Sequence, residues 1–241
     1  TDQVQEIMHQ RGRLYTCLKI DQSLNLGAVR IRLRSLKAAI EERGEETGSA
    51  KPIEYPKAVF TEAMKRDKDY TILAPEMSPI HFPIIEAAVQ REGYHIEIIP
   101  PIHEDIDKGL SCVNNDACYP AIITIGSLMR ALTSGKYDLS KTAVMLSQTG
   151  GMCRASNYVG FLHKALDEAG LSDIPVISLN THGFEPQPGF HFSLSMGRRM
   201  IQAVIYGDAL QQCLYRTRPY EKEPGSAETL CRSWQKRCIE A

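Results

Sequence analysis

The sequence lacks a long apolar run and has almost no net charge. Its longest apolar stretch, around Ala121 to Leu128, is far shorter than the roughly 20 residues of a membrane-spanning helix. The formal net charge is −1, whereas a general nucleic-acid binder carries a clear excess of Lys and Arg. The amino end has no basic segment followed by an apolar one, which argues against a secretion signal. We therefore expect a cytoplasmic protein with neither a membrane nor a nucleic-acid partner.

Nucleotide and zinc motifs are also missing. No predicted strand leads into G-x-G-x-x-G or a Walker loop, which argues against Rossmann-type nucleotide binding. The seven cysteines contain no pair of C-x-x-C knuckles, so zinc is disfavoured. An odd number of cysteines in a reducing compartment indicates buried thiols, metal ligands or catalysts rather than disulfides.

What is present is an alternation of short apolar strands and amphipathic helices from residue 55 onward. Strands are predicted at "YTILAP", "YHIEIIP", "KTAVMLSQT" and "IPVISLN", and helices at "SPIHFPIIEAAVQREG", "YPAIITIGSLMRAL" and "RASNYVGFLHKALDEAG". Ser78 and Gly93 mark the predicted ends of the first helix. The core stripe of the third is Ala155, Tyr158, Val159, Leu162, Leu166 and Ala169. This order predicts an α/β fold, a three-layer Rossmann-like parallel sheet with helices on both faces.

Helices are also predicted at the two ends of the chain. Residues 1–54 form a helical arm and linker, because apolar positions from Val29 to Ile40 recur at helical spacing before the polar run "ERGEETGSAKP". Residues 55–241 form the main domain, whose last two helices follow Asn180. The first residue is Thr rather than Met, which indicates a fragment or a processed chain.

Two cysteine loops, "NNDACYP" and "QTGGMCRASN", carry the strongest chemical signal. Cys118 and Cys153 each precede a predicted helix, and the positive end of a helix stabilises thiolates. Thiolates bind metals and attack electrophiles, so both cysteines are candidate functional residues. The polar neighbours that could support them are Asn114, Asn115, Asp116, Arg154, Ser156 and Asn157.

Two other interpretations of these cysteines stay open. "GMCRA" is similar to a strand–turn–helix nucleophile elbow, which would make Cys153 the nucleophile of a cysteine hydrolase with His182 as base and Glu185 as its orienting carboxylate. Alternatively, the domain is a non-catalytic scaffold whose cysteines pack as small apolar residues. The remaining cysteines outside the two loops and Cys112 are also interpreted as packing residues: Cys17, Cys213, Cys231 and Cys238. Arg198 and Arg199 indicate a solvated face. His81 and His163 are expected at surface or packing positions.

Long motifs in a fixed order carry a family resemblance. The runs are "YTILAPEMSPIHFPIIEAAVQREGY", "VNNDACYPAIITIGSLMRAL", "GKYDLSKTAVMLSQTGGMCRASNYVGFLHKAL", "IPVISLN" and "YRTRPYEKEPGSA". From about residue 55 to the end, the chain resembles the carboxyl-terminal part of large CoA-substrate-specific enzyme activases. Those proteins are similar to 2-hydroxyacyl-CoA dehydratase subunits.

The resemblance implies an oxygen-sensitive iron–sulfur electron-transfer domain with a low-potential [4Fe–4S]-type cluster. It assigns ligand roles to Cys118 and Cys153, and it implies an ATP-dependent activase domain or chain as electron donor and an acyl-CoA-linked redox partner. The actin-like ATPase domains and an upstream cysteine segment of the family are absent, so this chain alone is not expected to hydrolyse ATP. We expect a redox component rather than a complete enzyme.

Two cysteines are too few for a cubane cluster, which normally takes four. Three completions are open: a twofold homodimer that supplies two cysteines per chain, recruitment of Cys112, or ligands from another segment or partner chain. Cys112 falls where relatives are expected to have a different residue.

Overall fold

A computed structural model describes residues 4, 7, 8, 10–18, 26–43, 58–113, 117–148, 153–180 and 187–240. The chain divides into two units, Thr1–Glu54 and Tyr55–Ala241. The first unit contains helix α1 (Leu26–Arg43), which covers the helix predicted in the arm. Its side chains Ile31, Leu33 and Ile40 are exposed.

The second unit alternates strands and helices in the predicted order. Its elements are α2 (Glu62–Arg66), β1 (Thr71–Pro75), α3 (Phe82–Gln90), β2 (Ile96–Ile99), α4 (Glu104–Cys112), α5 (Tyr119–Thr133), β3 (Thr142–Gln148), α6 (Tyr158–Glu168), β4 (Val176–Asn180), α7 (Leu194–Thr217) and α8 (Ser226–Glu240). Short 3₁₀ segments occur at Leu139–Lys141, Arg154–Asn157 and Arg218–Tyr220.

The four strands form one parallel sheet in the order β2-β1-β3-β4. Leu73 of β1 is paired with Val144 of β3, which in turn is paired with Val176 of β4. The chain winds outward from β1 to β2 and then returns past β1 to β3. The carboxyl ends of β1 and β3 therefore lie side by side where the winding direction changes, the usual ligand position in open α/β sheets.

Two cores cover the two faces of the sheet, because successive strand residues point in opposite directions. On one face Leu73 and Val144 pack against α5 and α6, represented by Ile125 and Leu162. On the other face a second set packs against α3 and α7; it includes Ile72, Ala143, Met145, Ile177, Val89 and Met196. The predicted three-layer α/β fold is confirmed.

Helix α4 was not predicted, and it separates β2 from the helix that follows Cys118. Its buried positions are Asp105 and Gly109, so no apolar stripe marks it in the sequence. A Cβ atom on Gly109 would lie 2.0 Å from the carbonyl oxygen of Ile122, and one on Gly126 would lie 1.9 Å from that of Asp105. Helices α4 and α5 therefore pack backbone against backbone, a contact that only glycine permits.

Helices α3 and α6 begin differently from the prediction. The N-cap of α3 is His81 rather than Ser78, whose carbonyl oxygen accepts the N–H of Phe82 at 3.0 Å. Residues 78–81 thus form a separate turn before Pro83 in the first turn of the helix. The predicted start of α6 is the 3₁₀ segment, and Ala165 is buried in place of Ala169. Gly93 follows α3 with a φ of 86°, as expected for a glycine after a helix.

None of the helices in the described ranges combines the length and the apolar character needed to cross a lipid bilayer.

Candidate cysteine site

Cys118 and Cys153 both occupy the N-cap position of a helical segment. Cys118 precedes α5 with φ −68° and ψ 148°, and Cys153 precedes the 3₁₀ segment that leads into α6 with φ −72° and ψ 147°. The two cysteines thus adopt the same extended backbone at the entrance of neighbouring helices. Their predicted placement at helix starts is confirmed.

The local hydrogen bonds explain why the chain turns at each cysteine. The carbonyl oxygen of Cys118 accepts the N–H of Ala121 at 2.9 Å, and that of Cys153 accepts the N–H of Ser156 at 3.1 Å. Pro120 fits the first turn of α5 because the N–H that it lacks has no partner there.

Neither thiol caps its own helix. Cys118 is half-buried and Cys153 is exposed. Neither sulfur is therefore occupied by a hydrogen bond to the backbone of its own helix, and both cysteines lie at the positive ends of helical segments.

Tyr158 links the two cysteine loops. Its hydroxyl oxygen lies 3.3 Å from the Sγ atom of Cys118, within the range of a hydrogen bond to sulfur. Tyr158 is the first residue of α6, five positions after Cys153, and its side chain is buried in the core. The phenol therefore reaches from one cysteine loop to the sulfur of the other.

Several causes raise the pKa of Tyr158. Burial contributes most, followed by the hydrogen bond to Cys118 and by electrostatic interactions with Cys118 and Cys153. The phenol consequently keeps its proton at neutral pH and can donate it in a hydrogen bond to sulfur. The Cys118 sulfur is in direct contact with this hydroxyl group, whereas Cys153 acts on it only through a longer-range electrostatic interaction.

Hydrogen bonds and an ion pair near the site hold α5 and the segment that leads into α6 in place. Gln148, the last residue of β3, donates from Nε2 to the carbonyl oxygen of Ser156 at 2.5 Å, which ties the sheet edge to the turn after Cys153. The carboxylate of Asp105 is fully buried and accepts hydrogen bonds from the N–H of Ile102 at 2.8 Å and from Nε of Arg130 at 2.5 Å. Arg130 lies on α5 and Asp105 on α4, so this ion pair fixes the two helices against each other.

Cys112 ends α4, is half-buried and lies with its Sγ 3.6 Å from the hydroxyl of Ser111. Across the described ranges, no three His, Cys, Asp or Glu side chains are close enough together to hold a metal ion. In the part of the chain that the structure describes, Cys112, Cys118 and Cys153 therefore belong to no group of three candidate metal ligands. Cys213 is exposed on α7, and Cys231 is buried on α8.

Several predicted site residues lie outside the described residues. These are Asn114, Asn115 and Asp116 beside Cys118, and His182 and Glu185 of the proposed hydrolase pairing. The pairing of Cys153 with His182 stays a prediction.

The sequence analysis assigned Tyr158 to the core stripe alone. The hydroxyl contact with Cys118 depends on how α5 and α6 are placed against each other, which no local pattern reports. The available signal was weak: a tyrosine, rather than a phenylalanine, at a buried position next to a cysteine loop.

Comparisons with protein-family models, with curated proteins and with solved structures found no match to this chain. The resemblance to the large activases stays a prediction from the sequence motifs.

Proposed function

We propose that residues 55–241 form an iron–sulfur electron-transfer domain of a 2-hydroxyacyl-CoA dehydratase/activase-type system, with Cys118 and Cys153 as cluster ligands. The observation that supports this most is that both cysteines are N-cap residues of neighbouring helical segments, with the Cys118 sulfur in contact with Tyr158, the first residue of α6. A [4Fe–4S] cluster at this position would supply one-electron transfer at low potential. An ATP-driven partner would supply the electron.

The donor set fits half of a cubane cluster. Two thiols beside helix amino ends are suitable ligands, because the partial positive charge of the helices stabilises thiolates. The Tyr158 hydroxyl lies 3.3 Å from the Cys118 sulfur and would donate a hydrogen bond to it once that sulfur binds iron as a thiolate; hydrogen bonds to ligating sulfur tune the potential of iron–sulfur sites. This contact would orient Cys118 as a ligand.

A twofold homodimer is the simplest completion of the ligand set. Each chain contributes Cys118 and Cys153, and the exposure of Cys153 leaves that sulfur accessible to a second copy. Recruitment of Cys112 is less favoured, because Cys112 is in no three-residue metal group within the described part of the chain. Ligands from another chain remain the third completion.

Anaerobic reconstitution with iron and sulfide tests the ligand assignment. Wild-type protein is expected to bind iron and sulfide and to show a visible charge-transfer band that bleaches with dithionite. Cys118→Ser and Cys153→Ser should each lose most of the bound iron. Cys213→Ser is the matched control, since it removes an exposed thiol on α7. Stoichiometric iron that survives both site substitutions would rule these ligands out.

The dimer is tested separately by titrating protein concentration during reconstitution. A shared cluster requires one cluster per two chains, a doubled mass in solution and a yield that rises with concentration. A full cluster in a monomer at every concentration contradicts the twofold completion.

Thiol mapping separates the alternatives. A cysteine hydrolase predicts no iron, rapid alkylation of Cys153 and loss of activity in His182→Ala. A structural scaffold predicts no iron and slow alkylation of both cysteines.

A further inference from the structure

Three polar side chains outside the cysteine site form a continuous hydrogen-bonded chain. The hydroxyl oxygen of Ser78 lies 2.7 Å from Nδ1 of His81, and Nε2 of the same ring lies 3.0 Å from Oδ1 of Asp208. Ser78 and His81 belong to the turn after β1, whereas Asp208 lies on α7. The fold therefore joins residues that are 127 positions apart.

The hydrogen-bond partners determine the proton positions in this chain. An ionised carboxylate only accepts, so Asp208 accepts a hydrogen bond from Nε2–H, and Nδ1 is left as the acceptor of the Ser78 hydroxyl. The result is a hydroxyl nucleophile, an imidazole base and an orienting carboxylate in hydrogen-bond contact. Compared with the usual Ser-His-Asp arrangement, the roles of the two ring nitrogens are exchanged.

Neighbouring helices hold the turn and the ring in place. Gln235 on α8 donates from Nε2 to the carbonyl oxygens of Pro79 at 2.8 Å and of Ile80 at 2.9 Å. The imidazole packs directly against Gly207 of α7, where a Cβ atom would lie 2.2 Å from Cδ2 of His81. The His81 side chain is consequently only 14% exposed, so a base in this position is largely fixed before any substrate arrives.

Two backbone donors lie in the same turn. Within the described ranges, the N–H groups of Ile80 and His81 donate to no protein acceptor. They are at the amino end of α3, where the helix dipole favours negative charge. Unpaired N–H groups beside a nucleophile are the donors that stabilise the oxyanion formed during acyl transfer.

An apolar cavity adjoins the turn. Its volume is about 190 Å³, and its walls include Met77 and Phe82, which flank the Ser78–His81 turn on either side. The remaining walls are apolar except for Ser147 and come from the four strands, from α3 and α7 and from the segment before α7; among them are Met145, Phe190, Met196 and Met200. A wall without charges suits a short hydrocarbon group and excludes an ionised one.

From this geometry we infer that Ser78 is the nucleophile of an acyl-transfer site that hydrolyses carboxylic esters with a short apolar acyl group. Ser78 Oγ adds to the ester carbonyl and its proton passes to Nδ1 of His81. The bond to the alcohol then breaks, and the alcohol leaves with that proton. Water adds to the acyl-serine carbonyl and gives its proton to the same nitrogen. The carboxylic acid leaves as Ser78 regains its proton.

His81 is the base, and Asp208 is a positioning residue that holds the ring. The site uses neither cysteine, so this inference is independent of the proposed iron–sulfur function.

A fluorophosphonate probe, followed by peptide mass spectrometry, tests the nucleophile directly. The protein is used free of iron and in the Cys118→Ser/Cys153→Ser background, which removes hydrolysis by thiols. We expect an adduct on Ser78 and turnover of 4-nitrophenyl butyrate, both lost in Ser78→Ala. Ser172→Ala is the control, because Ser172 bonds the carboxylate of Asp167 at 2.9 Å but has no histidine partner among the described residues and should react like the parent protein.

Variants of the other two residues test their roles. His81→Gln retains a planar polar side chain against Gly207 and should lower the turnover rate about 100-fold or more while the thermal melt stays close to that of the parent. Asp208→Asn should lower the rate at least about 10-fold, with part of it restored in Asp208→Glu. A folded parent protein without an adduct on Ser78 overturns the inference. Undiminished turnover in folded His81→Gln or Ser78→Ala overturns it as well.

Discussion

The hydroxyl oxygen of Tyr158 lies 3.3 Å from the sulfur of Cys118, although the two residues are 40 positions apart in the chain. Tyr158 is the first residue of α6, and Cys118 is the N-cap residue of α5. The contact therefore reports the relative placement of two helices rather than a local turn. It also places a phenol hydroxyl beside the Cys118 sulfur, whereas the Cys153 side chain is exposed.

Tyr158→Phe removes this hydroxyl group while keeping the buried ring. We expect the reconstituted cluster to form with unchanged iron content but with a more negative reduction potential, because a hydrogen bond to ligating sulfur stabilises the reduced, more negatively charged state. Anaerobic redox titration followed by visible absorbance measures the shift. Tyr215→Phe, which removes an exposed hydroxyl on α7, serves as the control and should leave the potential unchanged. An identical potential in Tyr158→Phe contradicts a tuning role for the hydroxyl.

Arg130→Met should destabilise the fold by about 3 kcal/mol or more. The substitution leaves the carboxylate of Asp105, which is fully buried, without its charged partner. Urea unfolding measures the change. Arg232→Met removes a guanidinium from an ion pair in which the arginine is 75% exposed, and it should cost no more than about 1 kcal/mol. Equal losses of unfolding free energy in the two variants would contradict a larger contribution from the buried pair.

Gly126→Ala and Gly197→Ala should change stability in opposite directions. In Gly126→Ala the new methyl group meets the backbone of α4 and should cost about 3 kcal/mol, since a backbone cannot move aside like a side chain. In Gly197→Ala the methyl group lies 3.1 Å from the exposed ring of Phe192, which is free to shift. Alanine then favours the helix by up to about 1 kcal/mol. Thermal melts of both variants check the sign.

Glu86→Gln should stabilise the protein at pH 7 but not near pH 4. Burial is the main cause that raises the pKa of Glu86, with further contributions from the charges of Glu97 and Glu76. Its folded-state pKa exceeds the unfolded one, so the stability it contributes in its protonated form is lost as pH rises through the folded value. Glutamine mimics that protonated form at every pH. Melting temperatures of wild type and variant, measured from pH 4 to pH 8, should therefore diverge as pH increases.

Glu92→Gln is the control, because its effect on stability is expected to depend on pH in the opposite direction. Hydrogen bonds from Ser195 and Ser193, together with the charge of Arg199, lower the pKa of Glu92. Its stabilising effect is present above the unfolded pKa and disappears as pH falls through the folded one. The variant should be less stable than wild type at pH 7 and approach it in acid. A common pH dependence in Glu86→Gln and Glu92→Gln would contradict both assignments.

Much of the fold was predictable because its signals are local. The buried strands are short apolar runs, and Ile72, Val144 and Ile177 lie in the cores that those runs imply. Helix α4 escaped prediction because its contact with α5 is made by glycine backbones and by a buried ion pair, which leave no apolar periodicity. The start of α3 differs from the prediction for a local reason that is visible in the sequence: Pro79 and Pro83 lie in and just after the turn.

The candidate site was predictable only in part. Cys118 and Cys153 were placed at helix starts from the residues around them, and the structure confirms that placement. Their ligand role stays a prediction. The contacts of Tyr158 with Cys118 and of His81 with Asp208 join elements that are distant in the chain. Such contacts depend on sheet order and helix placement, which hydrophobic patterns do not specify.

The glycine contacts between α4 and α5 restrict which length changes the chain can tolerate. Each residue advances an α-helix by about 100°, so one insertion between Asp105 and Gly109, or between Ile122 and Gly126, would rotate a glycine away from the partner backbone. A residue with a side chain would then occupy the gap. We expect sequences that share this arrangement to vary freely on the outward faces of both helices and to keep the residue spacing within each helix invariant.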